Sequence, residues 1–507
     1  MSEIAEPHPD RDRDLSDAGI LRLSRTDTLT LLSILAALGL VRLAAVFTLP
    51  FTDTTEARYA EIARKMVETG DWITPQFDYG VPFWGKPPLH TWLSAVGMEL
   101  FGVNGFGARI FIFACAILLL WLLYRWVRQQ AGSGAALVSV TVLSSSVLFF
   151  GASAFVMTDL VMTLGIIMAM VGLWNCLQTA NGSRLHGWLA FAGLAVGLLA
   201  KGPVAVVLCG IPAVLWGLAT GRWREAGKLP WASGLALTAL LALPWFLAAE
   251  LKTPGFLNYF IIGEHFERFT VPDWQGDLYG NGHERPKGAI WGDWALAFLP
   301  WSLAFAPLLF MPRRVLQGFR SDRMHLRSYL LFWALSPLLL FTASANILAA
   351  YTLPGLPAAA VLLILLCTDA WGARPARAPR VLFAICSVFV IFTGGFYAVL
   401  AYAAPHAVNL RSERELVAKH NEINALVPLY YAGKRSFSGE FYTRGQALTL
   451  PGLSDLHLLP PGPHSLAIPQ ADEFSAVPHL LPEYQRIGQF GRHVLYSRNI
   501  IREGALR

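Results

Sequence analysis

The sequence predicts an all-α protein that crosses a membrane many times, and three observations carry this prediction. Of the 507 residues, 54% are hydrophobic and only 15% are charged, with a mean hydropathy of +0.46. Soluble domains carry about 25% charged residues, so this composition excludes most water-soluble classes. Apolar runs near the 17 to 25 residues that cross a bilayer recur along the chain, and the basic residues between them occupy short loops.

The apolar runs predict eleven membrane spans, and allowing for hidden crossings we expect about 11 to 13. The runs are 28–49, 106–124, 135–150, 159–177, 188–200, 203–219, 231–249, 294–311, 329–343, 348–367 and 381–403. They divide the chain into an N-terminal tail (1–27), a membrane domain (28–404) and a C-terminal domain (405–507). Short runs and turns in the last segment predict a small α/β domain.

The loops predict the orientation, because Lys and Arg in short loops stay on the cytoplasmic side. With the N-terminus inside, five short cytoplasmic loops carry 14 basic residues against three acidic ones. The net charge of +6 is therefore a topological signal, and no nucleic-acid partner is expected. This orientation predicts a bacterial inner (plasma) membrane protein whose loops 51–105 and 250–293, and whose C-terminal domain, lie on the periplasmic side.

The first outer loop holds the first candidate site residues. Apolar residues recur at helical spacing between Glu56 and Glu68, which predicts an amphipathic helix on the membrane surface, and a second helix is expected in KPPLHTWLSAVGMELFG. Asp53 lies just ahead of the first helix. Asp53 and Glu56 have the spacing of a capping box, which leaves a structural role and a catalytic role both open.

Further ionisable residues are predicted at the same outer membrane level. Asp159 begins a span, Lys86 lies in FWGKPP, and Lys201 ends a span in LLAKGPV. His265 and Arg268 lie together in GEHFERF. Lys201 alone could extend to the interface, and Arg268 could pair with Glu264 or Glu267. Together these cations would suit an anionic lipid headgroup, since Lys and Arg bind phosphate through charge-assisted hydrogen bonds.

No metal or other cofactor is expected. His90, His265 and His283 share the outer side, but they lie on different segments without ligand spacing. The five cysteines all fall in apolar runs, where we expect them to behave as small buried hydrophobic residues.

Several motifs resemble one known family. The run EARYAEIARKM, followed by GDWITPQF and FWGKPPLHTWL, the MTDL start of the fourth span, LAKGP, EHFERF, FLPWS and AAYTLP are similar to those of the GT-C superfamily of membrane glycosyltransferases. The similarity is to the bacterial branch related to protein O-mannosyltransferases and to the lipid A aminoarabinose transferase. It covers roughly the first 360 residues and is most specific in the first outer loop.

The resemblance implies a function. Enzymes of this kind transfer a sugar from a polyprenyl-phosphate donor to an acceptor, here a lipid such as lipid A, a glycan or a protein, on the extracytoplasmic side. It implies that a loop carboxylate, Asp53 or Glu56, is the base, and that Asp159 supports it. Lys86, Lys201 and Arg268 would hold the donor phosphate. The substrate-binding set also includes Arg58, Tyr59, His265 and Tyr351.

The chain departs from the family pattern at three positions. Thr55 replaces the aspartate of the Asp-Glu-x-Arg-Tyr motif, which favours Asp53 slightly as the base, and Gly85 and Ile347 replace an acid and a lysine of the lipid A enzymes. These differences weaken an aminoarabinose assignment but not the reaction class. Two other functions stay open: a transporter or flippase of lipid-linked sugars, and an assembly protein whose C-terminal domain binds a partner.

Overall fold

The computed structural model describes residues 21, 23–179, 182–272, 274–280, 284–371, 378–399, 411–474 and 483–498. Most of this part of the chain is helical, as predicted. The main helices are α1 (Arg25–Thr48), α2 (Thr55–Thr69), α3 (Leu89–Phe101), α4 (Gly105–Ser144), α5 (Val147–Ala152), α6 (Thr158–Gln178), α7 (Arg184–Lys201), α8 (Val204–Thr220), α9 (Trp231–Lys252), α10 (Ala289–Ala297), α11 (Trp301–Leu309), α12 (Pro312–Ser321), α13 (Leu326–Phe341), α14 (Ala349–Trp371), α15 (Ala378–Ala398), α16 (Arg414–Asn424) and α17 (Phe437–Tyr442).

Six of these helices are long and apolar enough to cross a membrane: α1, α4, α6, α9, α14 and α15. Two bent pairs, α10 with α11 and α12 with α13, raise the number of candidate spans to eight if each pair is one span. The predicted run 203–219 corresponds to α8, a shorter apolar helix of 17 residues. The protein is therefore a multi-pass membrane protein, and by this criterion its described residues support six to eight spans.

Helix α4 overlaps two of the predicted runs but is a single candidate span by length and hydropathy. A straight helix of its 40 residues would be about 60 Å long at 1.5 Å per residue, roughly twice the hydrocarbon thickness of a bilayer. The backbone leaves the helical region at Gly132, with φ 85° and ψ 168°, which a residue with a side chain rarely adopts. The part before Gly132 contains the predicted run 106–124, and the part after it covers the run 135–150 as far as Ser144, after which the run continues into α5.

Helices α6 and α7 pack closely through glycine. A Cβ atom added to Gly193 of α7 would lie 2.4 Å from the backbone nitrogen of Ala169, and one added to Gly165 of α6 would lie 2.6 Å from the nitrogen of Gly197. Small residues let helix backbones approach in this way within a membrane. This contact matters for the site because α6 begins beside Asp159 and α7 ends at Lys201.

The two predicted helices of the first outer loop are confirmed as α2 and α3. Helix α2, however, is not an exposed surface helix. Most of its residues are buried, including the charged side chains of Glu61, Arg64 and Lys65. Lys65 reaches Glu440 of α17 at 3.3 Å. The C-terminal domain therefore covers this helix, which explains why charged as well as apolar positions of α2 are buried.

The C-terminal domain contains the predicted mixture of helix and strand. Its five strands are β3 (Leu429–Ala432), β4 (Ala447–Leu450), β5 (His464–Pro469), β6 (Gln485–Phe490) and β7 (His493–Arg498), which follow the short hairpin β1 (Gln76–Asp78) and β2 (Val81–Pro82) of the first loop. The sheet order is β4-β3-β5-β7-β6. Strand β3 is parallel to both neighbours, whereas β7 is antiparallel to β5 and β6.

Some predictions fall outside the described residues or stay untested. Residues 1–20 of the predicted cytoplasmic tail and His283 are not described. The domain boundaries at residues 27 and 404, and the side of the membrane on which each loop lies, remain predictions.

The α6–α7 contact gives a test of the fold. We expect Gly193→Ala to lower the free energy of unfolding by about 1 to 3 kcal/mol, because overpacking forces a backbone shift. Gly210→Ala in α8 is the matched control, since an added Cβ there meets nothing within 4 Å. Thermal unfolding of the detergent-solubilised variants measures the difference, and equal stability of the two variants would contradict the close packing.

Candidate functional site

The carboxylate of Glu56 is fixed by an arginine of a spanning helix. Arg109 of α4 donates from Nε to Oε1 at 2.7 Å and from Nη2 to Oε2 at 2.8 Å, and both side chains are 3% exposed. Arg109 also donates to the carbonyl of Leu49 at 2.8 Å. One arginine thus attaches the start of the loop and the first turn of α2 to the membrane domain.

Asp53 contacts the C-terminal domain instead. Its carboxylate accepts hydrogen bonds from the Ser436 hydroxyl at 2.9 Å and from the backbone N–H of Ser438 at 2.8 Å, and it forms an ion pair with Arg492. Burial raises the pKa of Asp53, while Arg492 opposes this shift. The side chain has no exposed surface, so in this structure Asp53 joins the loop to the C-terminal domain.

The capping-box interpretation of this segment is wrong. Helix α2 begins at Thr55 after Thr54, and no side chain caps its N-terminus. Asp53 and Glu56 point to different partners, one in the C-terminal domain and one in α4. Thr55, which replaces the family aspartate, is exposed.

One cavity lies beside Glu56. We call it the loop cavity: it has a volume of about 580 Å³, and its ionisable and polar lining comprises Arg42, Thr52, Glu56, Arg109, Asp293 and Tyr397. The rest of its lining is mostly apolar. Asp293 is buried and paired with Arg285 at 2.5 Å.

A second cavity of about 300 Å³ gathers five of the predicted residues. We call it the cation pocket, and its charged and polar lining comprises Lys86, Lys201, Glu264, His265, Arg268, Ser344, Asn346 and Tyr351. These residues come from four separate segments of the sequence. The structure therefore brings Lys86, Lys201, His265, Arg268 and Tyr351 together, and their roles remain predictions.

Asp159 positions Lys201 in the cation pocket. The Nζ atom of Lys201 lies 2.5 Å from Oδ1 of Asp159 and 4.2 Å from the centre of the Tyr351 ring. Lys201 is buried and paired with Asp159 instead of extending to an exposed surface. Met157 and Ala349, two residues before Asp159 and Tyr351, line the loop cavity. The same two segments therefore border both cavities.

Glu264 links the other two cations of the pocket. It lies 2.6 Å from Lys86 Nζ and 2.9 Å from Arg268 Nη1, which confirms the predicted contact one helical turn away. Burial opposes its ionisation, but Lys86 and Arg268 outweigh this and lower the pKa of Glu264. Burial lowers the pKa of His265, which is therefore neutral at pH 7. Three cationic side chains and one anionic side chain thus line the pocket.

Two buried polar atoms of the cation pocket have no hydrogen-bond partner within the described ranges: Arg268 Nε and Asn346 Oδ1. Buried polar atoms usually have a partner, and an exception calls for an explanation. The Arg268 guanidinium carries five N–H donors, and within the described residues its contacts with Glu264 and Asp277 are made through Nη1. It therefore retains donors for an anion.

Arg58 and Tyr59 lie away from both cavities. Arg58 donates to the carbonyl of Tyr279 at 2.8 Å, and the Tyr59 ring packs edge-on against His90 with 4.7 Å between ring centres. These contacts hold α2 against the second outer loop and α3. The structure therefore does not bring Arg58 and Tyr59 to the predicted substrate site.

No group of three or more potential metal ligands is present in the part of the chain that the structure describes. His90 is fully buried, and burial lowers its pKa to about 3, so it is a neutral core residue.

Three ionisable side chains that line the loop cavity were not among the candidates predicted from the sequence. Arg42 and Arg109 lie within apolar runs taken as spans, and Asp293 immediately precedes one. Ionisable residues inside spans are costly and often functional. An ionisable residue inside an apolar run, or directly before one, is the sequence feature that identifies such candidates.

The sequence of this chain is similar to one family model and to several known proteins. Residues 27–260 match the model of the dolichyl-phosphate-mannose-protein mannosyltransferase family. The chain is 33% identical over 351 residues to an undecaprenyl phosphate-alpha-4-amino-4-deoxy-L-arabinose arabinosyl transferase of Pseudomonas aeruginosa, covering 67% of this chain and 60% of that protein. The corresponding protein of Aeromonas salmonicida is 30% identical, covering 71% and 64%. The matched region thus spans less than two thirds of these relatives.

Solved structures share the fold. The crystal structure of ArnT from Cupriavidus metallidurans bound to undecaprenyl phosphate matches with a TM-score of 0.76 at 19% identity, covering 93% of this chain and 98% of that one. The archaeal oligosaccharyltransferase AglB from Archaeoglobus fulgidus matches with a TM-score of 0.52 at 12% identity, covering 94% and 75%. The predicted resemblance is confirmed in these terms: the chain shares the fold of ArnT, and its sequence is similar to aminoarabinose transferases and to the mannosyltransferase family model.

The Asp53 contact gives a test of domain docking. We expect Arg492→Gln to lower the free energy of unfolding by about 1.5 to 3 kcal/mol, the range for a hydrogen bond to a charged group. Trypsin should then release the C-terminal domain faster. Arg486→Gln is the matched control, since this half-exposed arginine pairs with Glu473 inside the domain. Equal proteolysis rates in the two variants would argue against Arg492 as a docking residue.

Proposed function

We propose that this protein is an integral membrane glycosyltransferase. In this proposal it moves a sugar from a polyprenyl-phosphate donor to an extracytoplasmic acceptor. The observation that carries the proposal is the cation pocket, where Lys86, Lys201 and Arg268 converge from three distant segments. The names of the related proteins, several of which refer to undecaprenyl phosphate, support the same donor class.

The proposed reaction needs stabilisation of the negative charge on the leaving group and removal of a proton from the acceptor. The chain has groups for both. The acceptor oxygen forms a bond to the anomeric carbon of the sugar while the bond from that carbon to the phosphate oxygen breaks. Polyprenyl phosphate leaves with the bonding electrons, and a carboxylate takes the acceptor proton. Preorganised cations stabilise the charge that grows on the leaving oxygen, and one such contact contributes about 2.7 to 4 kcal/mol in comparable sites.

The structure supports different roles for the three predicted carboxylates. Glu56 lines the loop cavity, which Asp53 does not, so Glu56 is the better candidate for the base even though Arg109 donates to both of its oxygens. Asp159 acts as a positioning residue, since it holds Lys201 beside the Tyr351 ring. Asp53 is occupied by Ser436, Ser438 and Arg492, and we assign it to domain docking. No metal or cofactor forms part of this proposal.

The proposed setting is the bacterial inner membrane, with both cavities open to the periplasmic side. The charge bias of the loops supports this orientation. Mass spectrometry of envelope lipids, glycans and proteins from cells with and without the gene would identify the acceptor. We expect one class of molecule to lose a single sugar. Unchanged envelopes, combined with inward and outward movement of a lipid-linked sugar by the purified protein, would favour a transporter.

The cation pocket predicts how the donor binds. We expect Lys86→Gln to weaken binding of undecaprenyl phosphate roughly 10- to 100-fold, because a charge-assisted hydrogen bond is lost. Lys287→Gln is the matched control, since this exposed lysine belongs to the second outer loop (250–293) and does not line the pocket. Binding to the purified proteins can be measured by native mass spectrometry. Equal affinities of the two variants for undecaprenyl phosphate would contradict binding of the donor phosphate in this pocket.

The base assignment can be separated from the structural role of the Glu56 ion pair. We expect Glu56→Gln to lower kcat by about 10² to 10⁴-fold, the usual contribution of general-base catalysis. Arg109→Gln breaks the same ion pair but keeps the carboxylate, and it should retain more activity per folded molecule. Asp53→Asn should change kcat little. If Glu56→Gln and Arg109→Gln lose activity and stability to the same degree, Glu56 is structural.

A further inference from the structure

Asn346 lines the cation pocket, and only one end of its side-chain amide has a partner. The residue is 5% exposed, and its Nδ2 atom donates to the carbonyl of Arg268 at 2.7 Å. This bond fixes which way the amide points, because a carbonyl oxygen accepts from the nitrogen and not from Oδ1. Among the described residues Oδ1 has no hydrogen-bond partner. A buried acceptor without a donor is costly, so its presence calls for an explanation.

The backbone holds Asn346 in place. The N–H of Ala345 donates to the carbonyl of Phe269 at 3.0 Å, and the N–H of Arg285 donates to the carbonyl of Ala345 at 3.4 Å. The Ser344 hydroxyl donates to the carbonyl of Asn346 at 2.9 Å. The amide therefore cannot turn its oxygen toward another protein donor without breaking its own hydrogen bond.

The cation pocket thus contains two unpartnered buried atoms of opposite type. Arg268 Nε is a donor and Asn346 Oδ1 is an acceptor. The phosphate of a polyprenyl-phosphate sugar is a diester, whose oxygens accept hydrogen bonds but carry no O–H. Phosphate therefore satisfies Arg268 and leaves Asn346 without a donor. A ligand that satisfies both atoms carries a phosphate and a donor group side by side, as a sugar linked to phosphate does.

The neighbouring charges favour a hydroxyl over an ammonium group as the donor to Asn346. Each oxygen of Glu264 already accepts a hydrogen bond from a cation of the pocket, and Asp159 lies 2.5 Å from Lys201. These carboxylates are therefore occupied, whereas the cations beside them would repel a further positive charge. The amide oxygen is uncharged, so it accepts from a hydroxyl without a charge to balance.

We propose that Asn346 binds a hydroxyl group of the donor sugar and so selects a neutral sugar over an amino sugar. This assignment rests on the proposed function, because it places the sugar beside the donor phosphate in the cation pocket. Asn346 lies between α13 and α14, outside both helices. It was not among the candidates predicted from the sequence, since a neutral residue between two apolar runs carries no charge signal.

The first test needs no variant. Purified full-length protein is mixed with undecaprenyl phosphate carrying glucose, galactose, mannose, L-arabinose or 4-amino-4-deoxy-L-arabinose, and bound lipid is counted by native mass spectrometry. We expect the best-bound neutral sugar to exceed the amino sugar in affinity by about tenfold or more, the effect of one buried hydrogen bond and one charge repulsion. Equal or tighter binding of the amino sugar would overturn the proposal.

The second test uses the best-bound neutral sugar and compares two asparagine variants. We expect Asn346→Leu to reduce the preference for the glycosylated lipid over bare undecaprenyl phosphate about tenfold, because the sugar loses its acceptor. Asn258→Leu is the matched control, since this exposed asparagine belongs to the second outer loop and does not line the pocket. Equal preferences in the two variants would refute a contact between Asn346 and the sugar.

The bare lipid separates sugar recognition from a role in positioning Arg268. If Asn346 only holds the Arg268 backbone, Asn346→Leu will weaken binding of bare and glycosylated lipid by the same factor, which would overturn the proposal. Asn346→Asp keeps an oxygen acceptor and adds a negative charge, so it should shift the preference toward the amino sugar. An unchanged preference would contradict the assignment.

Failure of this assignment differs from failure of the proposed function. If the unmodified protein binds neither bare nor glycosylated undecaprenyl phosphate, the proposed donor is refuted together with the role of Asn346. If it binds these lipids with preferences that changes at Asn346 do not alter, the proposed donor stands and the role of Asn346 alone is refuted.

Discussion

The ion pair between Glu56 and Arg109 is the contact on which the arrangement of the site depends. A buried arginine in a spanning helix needs an anion, and the nearest one comes from the first turn of a loop helix. Arg109 also binds the carbonyl of Leu49, so the loop can neither shift along α4 nor rotate without breaking several hydrogen bonds. The position of α2 then determines which side chains face the cavities and which face the C-terminal domain.

The charged residues of the site form two groups, which differ in how their charges are paired. Near the loop, Glu56 and Asp53 are satisfied by Arg109 and Arg492, which are parts of the scaffold. In the cation pocket, carboxylates also lie beside the cations, but Arg268 retains a buried N–H without a partner. A pocket whose cations each lie beside a carboxylate, but which keeps spare N–H donors, can bind an anion without first breaking a salt bridge. Such an arrangement limits the cost of burying three cations and still favours phosphate.

The sequence predicted the helical membrane fold, the two loop helices and the set of cations well, because each depends on local patterns of hydropathy and charge. It did not predict the partner of Asp53, since Arg492 lies 439 residues away and nothing local marks the contact. Asp53 and Glu56 looked equivalent by spacing, and only tertiary contacts separate them. The number of spans was also harder to predict, because bends such as the 102° angle between α10 and α11 leave no hydropathy signal.

The contact between Asp53 and the last strands of the chain has a consequence for biogenesis. Loop residues near position 53 leave the ribosome early, whereas Arg492 is made 439 residues later. The loop therefore reaches its final arrangement only after the C-terminal domain has been made and has folded against it. Until then the nascent chain lacks the ion pair and hydrogen bonds that hold Asp53.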